Sequence, residues 1–594
     1  MIVSMKKLSI IVQSKDIDAT LKALARSGVV HVEHQRPPEN ENISLLKEKY
    51  LSLFKAIDAL PDPPGFQKTH SHPDKLMQEI LNFVDKEEVL TEGIKNIKKA
   101  IEKWKDWGDF DPELIYKLEA KGVWVRLCKL TKKELRNIPE GIIIKELFNK
   151  GNIFYCAAIS REEIKLPFEV IQLPEQGLEE MLASLKREEE KLREIENGLA
   201  VLSKYKKSLF SYGKKLSSLI EFNKVSAGLG SFEKLSYLIG YSPRDKVKSI
   251  EKIAERESWG LIVEDPLESD NVPTLIRNPR WIEMIRPLFK MINTIPGYRE
   301  VDISLWFLVF FSIFFGMLIG DAGYGAIFFV LNLFCHVKFR NKVKDRSIFF
   351  LTYLLSLCAI TWGLLTGTFF GQAWLPERVH PLLPLLRQEE TIQALCFLIG
   401  AIHLSIAHLW KFIRKMPSIK AFSEAGWICM LWAAYFIAKT LILSEAFAES
   451  AKWLLIIGAS LIILCTNPSK SLFKTVGSGI GGLLLNVINS FTDIVSYIRL
   501  FAVGAATVAV ADAFNQMASG IGYGNIFAGF LTAFVLLFGH TLNILLGAMA
   551  ILVHGVRLNM LEFSSHMNME WSGVEYTPFQ MKTQLTEAES RGKL

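Results

Sequence analysis

Residues 476–518 read VGSGIGGLLLNVINSFTDIVSYIRLFAVGAATVAVADAFNQMA, an apolar run whose charged residues are Asp493, Arg499 and Asp512. About 43 residues of helix would measure roughly 64 Å. A bilayer's hydrocarbon core is about 30 Å thick. Such a helix must tilt steeply, break or project, and either of the first two lays it along a neighbouring surface. Steps of three and four back from Arg499 reach Ser496, Thr492 and Asn489, and steps forward reach Ala502, Ala506, Ala509 and Ala513. One helix face is therefore polar at one end, charged in the middle and small beyond. The polar part suits an ion path, and the alanines allow another helix to approach closely.

A mid-membrane arginine costs several kcal/mol at least, so it marks either function or a partner carboxylate. The next apolar run, 526–563, carries Arg557, and the same walk back along it meets His554, Ala550, Gly547, Asn543 and His540. The plainer reading of the two arginines is structural ion pairing, Arg499 with Asp493 and Arg557 with Glu562. Arg557, near the end of its span, can also reach the interface.

Working outward, the spacing predicts eight spans: 303–319, 321–337, 347–371, 391–413, 423–443, 451–466, 476–518 and 526–563. The first two form one long stretch interrupted at Gly320, Asp321 and Gly323, and charge decides how to divide it. One linker carries Lys338, Arg340, Lys342, Lys344 and Arg346, a second Lys411, Arg414, Lys415 and Lys420, and a third Lys470 and Lys474. The linker at 445–449 holds only Glu445 and Glu449 as charges, and that at 519–525 holds none. Basic linkers belong in the cytoplasm. They share one side only if 303–337 is a hairpin, which leaves both chain ends cytoplasmic. Asp321 at the break is a helix cap or an ion ligand. His403 and His408 are proton relays or packed histidines.

Before residue 301 the chain is different. It is rich in Lys and Glu, so the hydrophobic fraction of 50% and the net charge of +7 average two unlike halves. The basic residues are interleaved with acidic ones or clustered between apolar runs, which argues for membrane topology over nucleic acid. The first thirty residues lack the apolar core of a signal peptide, which places the N-terminal half in the cytoplasm.

Within residues 1–300, two strand–helix–strand patterns at 1–36 and 230–265 predict one small α+β domain built from distant segments. A second small domain is expected at 115–173. Between them, Ile43, Leu46, Tyr50, Leu53, Ile57 and Leu60 alternate steps of three and four, continued by Ile94, Ile97, Ile101 and Trp104. Leu178, Met181, Leu185, Leu192, Ile195, Leu199 and Leu202 repeat the pattern, with Glu188 interrupting. These are seams of an antiparallel coiled coil with arms at 41–108 and 175–225, or of an ordinary helical domain.

Several chemistries are excluded. The seven cysteines are scattered without a CxxC pair, against disulfide and zinc roles. No GxxxxGK[ST] loop occurs, and the GxGxxG match of Gly477, Gly479 and Gly482 opens a membrane span and not a βαβ unit.

The chain resembles the membrane stator subunit of the V-type and A-type rotary ATPases, called subunit I or a. The resemblance covers most of the chain. It is carried by Phe315-Gly316-Met317, Gly320-Asp321-Ala322-Gly323-Tyr324-Gly325, Gly363 to Gly371 and Gly400-Ala401-Ile402-His403, and most specifically by Ser496-Tyr497-Ile498-Arg499-Leu500, His554-Gly555-Val556-Arg557-Leu558 and Glu562-Phe563. It implies a multi-pass protein, which lies in the plasma (inner) membrane if the source is bacterial or archaeal. Proton or sodium flow through it would be coupled to ATP hydrolysis or synthesis elsewhere, with no catalytic residue, cofactor or metal of its own. Arg499 would face the carboxylates of a rotor ring of small hydrophobic subunits and block leakage between two half-channels, with Arg557 accessory. The translocation set would be Arg499, Arg557, His554, His540, Asn543, Ser496, Thr492 and Glu562. Residues 1–300 would hold the peripheral stalks, and through them the soluble ATPase head. One departure stands out. Many relatives have a glutamate where this chain has Gly547, so the exit path must be lined differently, with His540 and His554 as candidates. A stand-alone secondary ion transporter is the rival reading, and a membrane anchor a second. The first leaves the long cytoplasmic part without a purpose, the second leaves the membrane arginines unexplained.

Overall fold

The computed structural model describes residues 1–62, 72–136, 141–162, 169–340, 343, 345–371, 381–466, 483 and 486–580. Lys342, Lys344, Lys470, Lys474, the Gly477/Gly479/Gly482 match and the start of the seventh span lie outside the described residues. The chain divides into two compact units, Met1–Gln35 with Gly230–Gln580, and Arg36–Leu229.

In the first unit the two distant strand–helix–strand segments interleave. Strand Met5–Gln13 pairs antiparallel with both Leu235–Pro243 and Gly260–Glu264, and His31–Glu33 pairs with the far edge of Leu235–Pro243. The split βαβ arrangement follows, with helices Ile17–Ser27 and Val247–Glu257 as crossovers. Leu8 and Ile10, two apart on the strand, are buried together with Leu21, Leu24, Leu238 and Ile250. These strands and helices make one small α+β domain.

The C-terminal segment packs on the same sheet. Phe579 N donates to Val30 O, the Tyr576 hydroxyl to Val29 O, and Thr274 forms a bridge with Glu575. Just before helix Ser304–Ile319, Asp302 takes hydrogen bonds from the Met1 amine and from Ser304. Burial alone would raise the Asp302 carboxyl, but these bonds outweigh it and hold it below the usual range.

In the second unit, helices Pro73–Trp104 and Leu178–Leu202 run antiparallel. Phe83 lies against Gly198, Lys98 pairs with Glu189, and Trp104 packs with Met181. Glu41–Asp58 packs on Lys206–Ala227, so each expected arm consists of two helices. Leu53, Ile57, Ile80, Ile195, Leu199 and Leu209 close one apolar core between them. A separate antiparallel sheet orders its strands Ile143–Lys150, Ile153–Ser160, Trp124–Thr131 and Glu169–Ile171.

Among the described residues, six helices are long and apolar enough to cross a membrane: Ala322–Phe339, Ser347–Thr366, Glu389–Lys415, Ala421–Leu443, Asn486–Ile521 and Ile526–Met567. Ser304–Ile319 is apolar but shorter, and Glu449–Cys465 is a helix of 17 residues. The third predicted span ends early, because Gly367 caps the helix in the left-handed conformation and 367–371 is a loop.

The division of 303–337 has a clear cause. Gly320 ends the first helix at φ 67°, and Asp321 caps the second. Its Oδ1 accepts from Gly323 N and Tyr324 N, and its Oδ2 from Gly371 N. Of the two readings of Asp321, the cap is the one the geometry fits. Gly325 then lies against Ile360, and Asn332 Nδ2 donates to Phe349 O, so Ala322–Phe339 runs antiparallel to Ser347–Thr366.

Candidate functional site: two arginines in long membrane helices

Arg499 sits just after a turn at Tyr497 that interrupts the helix Asn486–Ile521. Tyr497 is fully buried, and its hydroxyl bonds His403 Nδ1 at 2.8 Å. Gly400, one turn before His403, leaves the space its ring occupies. His403 is stacked between Phe310 and Phe563, with ring centroids 3.9 and 4.3 Å away. It is a packed histidine that pins Tyr497, and with it the turn before Arg499.

The face predicted from Arg499 is open in this chain. Asn489, Thr492, Ala502, Ala506, Ala509 and Ala513 are exposed, while Ser496 and Arg499 are half-buried between them. The Thr492 hydroxyl donates to Ile488 O, which satisfies its hydrogen within its own helix.

Of the two structural ion pairs offered by the sequence, Arg557 with Glu562 is present and Arg499 with Asp493 is not. Glu562 Oε1 lies 3.5 Å from Arg557 Nε and 3.7 Å from Arg499 Nη1, so one buried carboxylate serves both arginines. Asp493, the expected partner of Arg499, instead meets His566 at 3.0 Å. Neither Arg499 Nη1 nor Glu562 Oε2 has a hydrogen-bond partner among the described residues. Arg499 is thus attracted without being saturated, with buried donor capacity left over.

The helix walk from Arg557 assumed regular α geometry, and this needs correction. Ile551–Gly555 and Leu558–Phe563 are π-helical, with Arg557 between them. Wider turns break the three-and-four stepping and let Glu562 reach back to Arg557. Beyond them, towards residue 540, the stepping holds. Asn543 Nδ2 donates to the Tyr324 hydroxyl and to Thr507 O, the Tyr324 hydroxyl bonds His540 Nδ1 at 2.7 Å, and His540 Nε2 bonds Asn515 Oδ1. His554 joins no such chain, and its Nδ1 is buried without a partner among the described residues. Gly547 is buried against Ile319, whose Cδ1 would lie 3.2 Å from a Cβ at that position.

Comparison with known proteins fixes the family. The chain is 31% identical to the V-type ATP synthase subunit I of Borreliella burgdorferi, over 98% of this chain and 99% of that one. The chain belongs to the V-type ATP synthase subunit I family. A second relative, V-type ATP synthase subunit I 1 of Treponema pallidum, is 28% identical over 98% of this chain and 100% of its own length. No family model matches the chain. A crystal structure of the cytoplasmic N-terminal domain of subunit I, homolog of subunit a, of V-ATPase aligns with 43% of this chain and 99% of its own, at 15% identity and a TM-score of 0.22. As a subunit I chain with six candidate spans, the protein is a multi-pass membrane subunit of a rotary ATP synthase complex.

Three groups beside the subunit I arginines escaped the sequence reading. Tyr324 sits within a motif quoted for other reasons, and only the fold brings it to His540 and Asn543. Glu424 and His566 lie at span ends, where a titratable residue reads as interfacial. Glu424 is buried and bonded to His408, and His566 is half-buried and bonded to Asp493.

Proposed function

We propose that this chain is the ion-translocating stator of its rotary complex, with Arg499 facing the carboxylates of a rotor ring of small hydrophobic subunits. The observation that carries the reading is the open stripe on Asn486–Ile521. It exposes four alanines beyond Arg499 and two polar side chains before it, and no described helix covers it. Alanines project nothing past Cβ, so a rotor helix can pass in contact. Arg499, held by Glu562 at ion-pair distance with an unbonded Nη1, can exchange one carboxylate for another as the ring turns. Asn489, Thr492 and Ser496 then line the cytoplasmic half-channel. His540, Asn543 and His554 line the opposite one, with the Tyr324 hydroxyl bonded to His540 and Asn543 there, and Arg557 assists.

Topology fits this role. The contacts of residues 574–580 with the N-terminal domain support a chain that starts and finishes its crossings on one side, with an even number of spans. The six long helices together with Ser304–Ile319 and Glu449–Cys465 make eight, with both ends cytoplasmic by the placement of basic linkers. The paired helices and distal sheet of residues 36–229 would bind the peripheral stalks, and deleting 115–165 should release a stalk while the membrane part stays inserted. Retention of every stalk would count against that assignment.

A cysteine placed at Ala509 tests the rotor contact. It should cross-link to a ring subunit in resting membranes, with the yield redistributed over ring subunits after ATP-driven turnover. Absence of any ring adduct from a cysteine that reacts with soluble reagents would contradict the reading.

A further inference from the structure

A second cluster of titratable side chains, buried at His408 and Glu424 and half-buried at His566 and Asp493, leads off from the helices that carry the arginines. His408 Nδ1 stands 2.6 Å from Glu424 Oε2, His408 Nε2 stands 2.9 Å from His566 Nδ1, and His566 Nε2 stands 3.0 Å from Asp493 Oδ2. The chain joins Glu389–Lys415, Ala421–Leu443, the end of Ile526–Met567 and Asn486–Ile521. His408 and Glu424 are both under 5% exposed. Lys415 bonds Glu424 Oε1 and is 43% exposed, so this end reaches solvent through it. Lys411 Nζ lies 3.6 Å from Glu424 Oε2 and also donates to His566 O.

We propose that Glu424, His408, His566 and Asp493 form a proton relay at the cytoplasmic end of the stator, and that the ion it serves is a proton. The proposal rests on the reading of the chain as an ion-translocating stator. Its basis is a count of hydrogens. Three hydrogen bonds between four groups need three protons. Two ionised carboxylates and two neutral imidazoles supply only two, because each neutral ring donates from one nitrogen and accepts at the other. The chain is complete only with one additional proton. With Lys411 and Lys415 placing positive charge beside Glu424, that proton rests at the Asp493–His566 end.

The additional proton can move without any heavy atom leaving its place. Asp493 Oδ2 gives its proton to His566 Nε2, His566 Nδ1 gives its own to His408 Nε2, and His408 Nδ1 gives its own to Glu424 Oε2. Each ring loses one proton and gains one, Asp493 becomes a carboxylate, and Glu424 becomes the acid that releases to solvent past Lys415. Both rings must then turn over to restore the starting tautomers before Asp493 takes up the next proton, and the same shift run from Glu424 to Asp493 is proton uptake, the direction that ATP-driven pumping uses. A sodium ion cannot follow this route. Each transfer passes through an imidazole, which hands on a proton from its N–H and offers no oxygen to a hard cation. Asp493 lies about 9 Å along the helix axis from Arg499. His566 follows Glu562 by four residues, so the relay ends beside the arginine pair.

The test uses the assembled complex in inverted membrane vesicles, with ATP-driven acidification read in sodium-free medium. His408→Gln keeps a donor and an acceptor but cannot take a proton on one side and release it on the other, whereas His408→Phe loses both. His408→Gln should assemble normally and pump roughly ten- to a hundredfold more slowly, the low end of what a positioned acid–base group contributes. It should show an enlarged solvent deuterium effect and recover in part with added imidazole, while His408→Phe should be no better. Should His408→Gln fail to assemble, Asp493→Asn is read in its place, with the same expected slowing and isotope effect. Pumping near the unmodified rate, or slowing with an unchanged isotope effect, would overturn the relay. ATP-driven sodium uptake without acidification would overturn the proton assignment. An Arg499→Ala arm separates the two levels. If that variant is inactive while His408→Gln pumps normally, only the relay fails, and if Arg499→Ala itself pumps normally, the stator reading fails.

Discussion

The ring of Tyr497 fills the space above Gly400, where an added Cβ would come within 2.7 Å of it. Gly400→Ala should therefore overpack this contact at a cost of about 1–3 kcal/mol and displace the turn that sets Arg499. Thermal unfolding of the purified complex should shift down, and pumping should fall with it. Tyr497→Phe keeps the ring but loses the bond to His403, so it should cost less, about 0.5–1.5 kcal/mol. Equal stability for Gly400→Ala and the unmodified chain would show that the ring has room to move.

Glu562 should couple unequally to its two arginines. Arg557 is 52% exposed at its side chain and Arg499 22%, so solvent screens the first pair more strongly. A double-mutant cycle on detergent stability should give a larger coupling for Glu562 with Arg499 than with Arg557, within the roughly 0.5–3 kcal/mol found for contacting residues. Glu562→Gln alone should destabilise the subunit by leaving two cations without their shared anion. The reverse order of couplings would mean that Glu562 belongs chiefly to Arg557.

Eight spans with cytoplasmic ends predict the sidedness of single cysteines in a chain cleared of its native ones. Positions Ser444 and Gly522 should react with impermeant reagent from outside, and Arg340 and Lys420 only from inside. Opposite sidedness for Arg340 and Lys420 would break the scheme, because the number of crossings between them would then be odd.

Much of this architecture was legible in the sequence because it is written in periodicity. The open stripe around Arg499 follows from steps of three and four in a straight helix, and Ala502, Ala506, Ala509 and Ala513 do share one exposed face. The hairpin break was readable because Gly and Asp at 320–321 cap in place. The pairing of Arg557 with Glu562 was readable, but that of Arg499 was not, since the sequence offered Asp493, whereas π-helical turns, invisible to any periodic reading, bring Glu562 to both arginines. Nor could spacing reveal the partnership of Tyr324 with His540, or of His408 with His566, because each joins helices far apart in the chain.

Replacement of Arg499 separates a translocating stator from an inert membrane scaffold. A guanidinium stays protonated at accessible pH, so it remains a fixed positive charge beside any carboxylate that must release its ion. Attraction of about 4 kcal/mol at 4 Å in an effective dielectric of 20 exceeds thermal energy yet yields as the next carboxylate arrives. Lysine should substitute poorly, because a compact ammonium can lose its proton and cannot spread hydrogen bonds across a passing carboxylate. The measurement is ATP-driven ion pumping in membranes that contain Arg499→Ala complex at normal abundance. The account predicts that pumping is abolished while the complex remains assembled, and pumping at close to the unmodified rate would contradict it.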